Sequence, residues 1–205
     1  MDKETFLISS GRDRRNGAPL NSPPMPASNF YLPSERVYSR NEQTETVNRL
    51  EELVGGIEGG DALMFGSGMA AAAAVLHRLP VGSTLALPTD PYHGVNGLAE
   101  EGEAQGRWKI WRIHPNDTDS WVNACATADL VWVETPANPL IDVTDLPTVC
   151  SAPRRDGTIL AVDSTFATPM CQLPLNLGAD IVMHSATKFL GGHSDLLAGA
   201  LIVRD

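Results

Sequence analysis

The amino-acid sequence predicts an α/β fold built on a mainly parallel sheet, and three observations carry that prediction. Seven short apolar segments recur along the chain, helix-sized stretches separate most of them, and several of the apolar runs are nearly continuous, as in "LVWVE" (130–134) and "ILAVD" (159–163). A run without polar alternation suits a strand covered on both faces, which is the situation in a parallel sheet flanked by helices. In such sheets ligands bind beyond the carboxyl ends of the strands. The residues that close each segment are therefore the first place to look for chemistry.

Taken in order, residues 1–44 are rich in Pro, Ser, Asn and Arg and show neither helical nor strand period, which predicts an extended arm lying on some other surface. From Thr44 the pattern becomes helical, with Val47, Leu50, Leu53 and Val54 on one face and Gly55-Gly56 as the expected stop. The strand "ALMF" (62–65) leads into "FGSGMAAAAAVL", a glycine turn followed by an alanine-rich helix. The N–H groups of Gly68, Met69 and Ala70 should point out of that helix N-terminus and suit an anion such as phosphate. Gly66, Gly68 and Ala71 also fit a dinucleotide fingerprint, with Asp90 about twenty residues on as the ribose-binding acid. A plain turn before an ordinary helix is a third reading, and this stretch alone does not choose.

The strand "TLALP" (84–88) delivers Tyr92 and His93, where an aromatic ring either stacks on a planar ligand or sits half-buried in a turn. "KIWRI" (109–113) follows, and then "LVWVE", which opens into "ETPANP"; there Asn138 either donates to a ligand oxygen or caps a turn. "ILAVD" places Asp163 at the end of a central strand. A carboxylate in that position needs a cationic partner, either a side chain or a charged heterocycle. "DIVMHS" (180–185) runs on into "HSATK", which if extended puts Ser185 and Thr187 on one face with Lys188 at the turn. Gly191 and Gly192 let the chain turn sharply before the last strand, "AGALIV" (198–203). A lysine beside hydroxyls, a phosphate cradle and a central aspartate has the setting that Schiff-base chemistry asks for.

Composition narrows the function classes. The net charge is −10 and Lys and Arg do not cluster, apart from Arg12, Arg14 and Arg15 in the arm, which argues against a nucleic-acid or anionic-membrane partner. Hydrophobic residues make up 42% of the 205, and the longest apolar run, Met69 to Leu76, is too short to span a bilayer. No signal-peptide pattern opens the chain. Cys125, Cys150 and Cys171 follow no metal-ligand spacing and are expected to be free, buried thiols in a reducing cytoplasm. No metal site is expected.

The stretch "VDSTFATPMCQLPLNLGADIVMHSATKFLGGHSDLLAG" resembles the lysine region of the Cys/Met-metabolism family of pyridoxal 5′-phosphate (PLP) enzymes, which includes cystathionine γ-synthase, cystathionine lyases, methionine γ-lyase and O-acetylhomoserine sulfhydrylase. The likeness continues through "YSR", "GSGMAA", "PYHG" and "ETPANPLIDVTDL", and the dinucleotide reading falls with it. It implies the large domain of the aspartate aminotransferase-like fold type I over residues 45–205, preceded by an arm (1–44) that contacts a neighbouring subunit. It implies an internal aldimine on Lys188, pairing of Asp163 with the pyridinium nitrogen, and Tyr92 stacked on the ring. Gly68, Met69, Ser185 and Thr187 would hold the phosphate, with Asn138 near the phenolic oxygen and Thr165 also in the cofactor site. Tyr38 and Arg40 would reach the neighbour's phosphate.

The implied reaction is γ-elimination or γ-replacement on sulfur amino acids or activated homoserine, with the released Lys188 moving protons at Cα and Cβ. The implied assembly is a homodimer or homotetramer. Two departures stand out: "NEQTET" follows Arg40 where the family commonly has Gly-Asn-Pro-Thr, and Ser164 stands where Asn is common. The family also carries a C-terminal domain that these 205 residues are expected to lack. That leaves a fragment, a truncated scaffold without activity, and a chain completed by a second polypeptide as open readings.

Overall fold

The computed structural model describes residues 2–12 and 15–204; Arg14 of the arm's basic group lies outside them. The apolar segments form seven strands: β1 (Asp61–Phe65), β2 (Ser83–Pro88), β3 (Trp108–Ile113), β4 (Leu130–Glu134), β5 (Ile159–Asp163), β6 (Ile181–His184) and β7 (Gly199–Val203). They make one sheet in the order β1-β7-β6-β5-β4-β2-β3. The run from β3 to β6 is parallel, and β7 alone reverses, pairing antiparallel with both β6 and β1. The expectation of a mainly parallel sheet therefore holds, and every expected strand is present.

Nine helices accompany the sheet among the described residues: α1 (Lys3–Ser9), α2 (Ser39–Glu42), α3 (Glu45–Glu58), α4 (Gly68–Leu76), α5 (His93–Ala104), α6 (Thr118–Thr127), α7 (Leu146–Ser151), α8 (Thr168–Cys171) and α9 (Pro174–Leu177). Strand alternation sends Leu85, Leu87, Leu130 and Trp132 to one face, where α4 and α5 cover them with Ala71, Val75, Val95 and Ala99. Ala86, Val131, Val133 and Leu160 face the other way and meet Trp121 and Ala124 of α6 and Val149 of α7. A third cluster packs α3 and α9 through Val54 and Leu175 against Val182 and Ile202. Both faces are thus covered. This is why β4 is buried along its whole length and could be so apolar in sequence.

Three local expectations are corrected. The arm is not extended throughout, because residues 3–9 form α1, capped by the Asp2 carboxylate accepting the Thr5 N–H at 2.7 Å. Its Phe6 ring lies on Gly56 of α3, where a Cβ would collide with it, and Lys3 Nζ donates to Pro169 O at 2.5 Å. Gly55-Gly56 accordingly does not stop α3. The pair lies inside the helix as a site of close packing, Gly55 against the Gly60 carbonyl, and the helix ends at Gly59 with φ 85°. Of the three free cysteines, Cys125 and Cys150 are buried as expected, whereas Cys171 is exposed at the end of α8.

Candidate active site

A cavity of about 910 Å³ opens at the carboxyl ends of β4, β5 and β6, against the N-terminus of α4. Gly68, Met69, Tyr92, Asn138, Asp163, Thr165, Ser185, Thr187 and Lys188 all line it. Tyr38 and Arg40 do not line this cavity. They lie in the arm beside one another, with the guanidinium 5.3 Å from the ring centroid.

At the α4 end the Ser67 hydroxyl accepts the Ala70 N–H at 3.0 Å, so that amide is capped and not free as expected. The N–H groups of Gly68 and Met69 remain without an acceptor among the described residues. A Cβ on Gly68 would stand 2.8 Å from Cβ and Oγ of Ser185, so only glycine lets the helix start this close to the end of β6. The expected extended "HSATK" is also corrected. β6 stops at His184 and a turn begins, with Lys188 N–H donating to Ser185 O at 3.1 Å and Gly191 N–H to Ala186 O at 2.8 Å. Strand pairing cannot continue there because the chain must reverse into antiparallel β7.

The turn separates the roles of the two hydroxyls. Thr187 is tied to Ala198 three times: its N–H and its hydroxyl both donate to Ala198 O (3.1 and 3.2 Å), and its Oγ1 accepts the Ala198 N–H at 3.1 Å. The Ser185 N–H donates to Thr165 Oγ1 at 2.8 Å, while its own hydroxyl faces Gly68. Lys188 is exposed on the cavity wall, next to an edge-to-face pair of Phe166 and Phe189 with centroids 5.8 Å apart.

Two buried carboxyl groups form the floor. In the β4–β5 register Glu134 sits directly beside Asp163, and both residues are nearly inaccessible, 5% and 7% exposed. Asp163 Oδ1 accepts from the Thr165 N–H (3.1 Å) and hydroxyl (2.6 Å), yet burial still holds its pKa above the usual carboxylate range. Glu134 accepts the Tyr92 N–H at 2.7 Å and the Asn138 N–H at 3.3 Å. Burial, and then the charge of Asp163, pushes it up to about 7. Asp163 was expected here from the sequence and Glu134 was not, although both end an apolar strand in the same way. By contrast Asp90, the acid that a dinucleotide would need, is exposed and lines a separate cavity of about 40 Å³ with His114.

Comparison with known proteins places this arrangement. The model of the family described as "Cys/Met metabolism PLP-dependent enzyme" matches residues 26–205. Cystathionine beta-lyase MetC of Staphylococcus haemolyticus is 45% identical over 157 residues, covering 75% of this chain and 40% of that protein. Cystathionine gamma-lyase of Bacillus subtilis is 36% identical, covering 98% of this chain and 55% of that protein. Among solved structures, cystathionine gamma synthase from Xanthomonas oryzae pv. oryzae in complex with cystathionine superposes with a TM-score of 0.91 at 34% identity, over all of this chain and 55% of that one. The chain spans about half the length of the curated relatives it matches.

Proposed function

The chain belongs to the Cys/Met-metabolism family of PLP-dependent enzymes, and from that premise we propose that its cavity holds PLP and serves trans-sulfuration chemistry on sulfur amino acids or activated homoserine. The residues present fit this cofactor. Asp163 is a buried carboxyl group with no cationic partner among the hydrogen bonds of the described residues, which suits a pyridinium nitrogen. The amides of Gly68 and Met69, with the Ser185 hydroxyl against them, suit a phosphate at a helix N-terminus. When bound, the cofactor supplies an electron sink conjugated to the α-carbon of an amino acid.

The residues of this chain do the rest. Lys188 would anchor the cofactor and, once released, its Nζ would move protons at Cα and then at Cβ of the substrate, so that the electron pair left at Cβ expels the group on Cγ. Asp163 holds the ring's charge, with Thr165 fixing its carboxylate, and Tyr92 and Asn138 bound the ring from their two loops. Thr187 serves by tying the lysine's turn to Ala198, since its hydroxyl proton already goes to that carbonyl. Tyr38 and Arg40, absent from this cavity, would enter that of a second subunit in a homo-oligomer.

The reaction we favour is γ-elimination or γ-replacement of the cystathionine γ-lyase or γ-synthase kind, with a small amino acid as substrate. We place the activity in the reducing cytoplasm, which suits its free thiols; separately, no helix of the described residues is long and apolar enough to cross a membrane. The single observation that carries this reading is Lys188 on one cavity wall with the buried, cation-seeking Asp163 on its floor. Lys188→Ala should abolish both the visible absorbance of lysine-bound PLP and turnover of cystathionine. Either signal surviving in the variant overturns the assignment.

A further inference from the structure

We propose that Glu134 is a positioning residue for this site: its carboxyl group joins the backbone of Tyr92 to that of Asn138 and so sets the width of the slot between the two loops. The inference rests on the proposed function, because the slot matters only if a ring lies in it. Glu134 ends β4, and its two oxygens take different partners, Oε2 the Tyr92 N–H at 2.7 Å and Oε1 the Asn138 N–H at 3.3 Å.

Neither amide has another acceptor among the described residues. Tyr92 is the N-cap of α5, where no side chain caps the helix, and the Glu134 carboxyl group accepts the N-cap N–H as the acid of a capping box would. In "ETPANP" the Thr135 N–H goes to Asp163 O, the Ala137 N–H to Asp142 O, and the two prolines have none to give. Only the Asn138 amide is left for Glu134. An apolar residue at position 134 would extend the packed interior of β4, all of whose residues are buried. Placing a second acid beside Asp163 instead opposes stability, and the two amide bonds are what the structure gains by it.

The joint responds to charge. Asp163 faces Glu134 from β5 and Asp90 from the loop before α5, while Lys188 and Asp195 line the same cavity from the loop after β6. An ionised carboxylate accepts fully at both oxygens, whereas a protonated one must weaken one of the two bonds. With its pKa near 7, Glu134 passes between these states around neutrality. A cation held at Asp163 removes like-charge repulsion and favours the ionised form, so occupancy of the site and tightness of the joint reinforce each other.

The test is an absorbance titration of the purified protein with PLP across a pH range spanning neutrality, on the unsubstituted chain and on Glu134→Gln. The glutamine keeps the shape but has one acceptor oxygen and no charge. We expect its PLP dissociation constant to be about tenfold higher on the alkaline side, the loss of one charge-assisted hydrogen bond. The difference should vanish on the acid side. Equal affinities and equal pH profiles overturn the inference, whereas failure of the unsubstituted chain to bind PLP overturns the proposed function beneath it. If the variant does not fold, the amide proton shift of Tyr92 in the unsubstituted protein decides. A shift that titrates near neutrality supports the joint, and one that stays flat overturns it.

Discussion

Two buried pairs of ionisable side chains sit close to the carboxyl end of the sheet, and the fold treats them in opposite ways. Glu134 and Asp163 lie side by side facing a cavity, carry the same charge when ionised, and are held above the ordinary carboxylate range. Glu58 of α3 and His184 of β6 face each other on the other side of the sheet with 2.5 Å between Oε1 and Nε2, each essentially inaccessible. The second pair is answered from within the chain, although His184 Nδ1 and Glu58 Oε2 have no hydrogen-bond partner among the described residues. The first is met by backbone amides, by the Thr165 hydroxyl and by whatever enters the cavity. A buried polar group that the protein satisfies is architecture, and one left for a guest marks a site.

Substitution should separate the two. Glu58→Ala leaves the His184 ring buried without its one partner, and we expect it to cost about 3 kcal/mol in urea unfolding while leaving PLP affinity unchanged. A loss below about 1 kcal/mol would show that the pair is not architectural in this sense.

A smaller effect is expected from pH. Glu134 titrates near 7 in the folded chain against its ordinary value of 4.5, so between those values the folded state binds more protons than the unfolded one. Stability of the cofactor-free protein should therefore be greatest below about 4.5 with respect to this group, and decline by about 2.5 kcal/mol as pH rises from there to 7. Unfolding midpoints compared with those of Glu134→Gln isolate the contribution, and identical pH slopes would remove it.

Smallest on stability, Asp163→Asn should move the cofactor-free unfolding free energy by no more than about 1 kcal/mol, because it relieves a like-charge contact. The same change should weaken PLP binding at least about tenfold, because the ring nitrogen loses its anionic partner. A stability loss as large as that of Glu58→Ala would merge the two classes of pair.

The sequence made the site's members legible and left its couplings hidden. Apolar runs announced all seven strands, and the residues closing them supplied Tyr92, Asn138, Asp163 and Ser185, because a parallel sheet gathers strand ends by construction. What escaped depends on contacts far along the chain. Glu58 and His184 are 126 residues apart, and nothing local to either predicts the other. Helix α1 is short and is held by Phe6 on Gly56, so a pair of glycines that looked like a stop was a packing surface. Glu134 carried the same signal as Asp163, an acid after four apolar residues, but a resemblance that names one acid as the cofactor's partner draws attention from its neighbour. The turn after His184 was hidden because β7 reverses direction, which no property of "HSATK" foretells.

The threefold tie between Thr187 and Ala198 turns residues 188–197 into a closed ring of backbone whose clasp lies next to the lysine. Besides Lys188, its residues Phe189, Gly192, Ser194, Asp195, Leu196 and Leu197 lie on the cavity wall. Changes of length or side chain on its far side are absorbed within the ring, since loop closure depends only weakly on length once the ends are fixed. Anchor and wall are thereby uncoupled for evolution. On the proposed function, the rim could be redrawn for a bulkier or smaller ligand while the amine at the clasp keeps its place, so that what the cavity accepts would change without rebuilding its anchor.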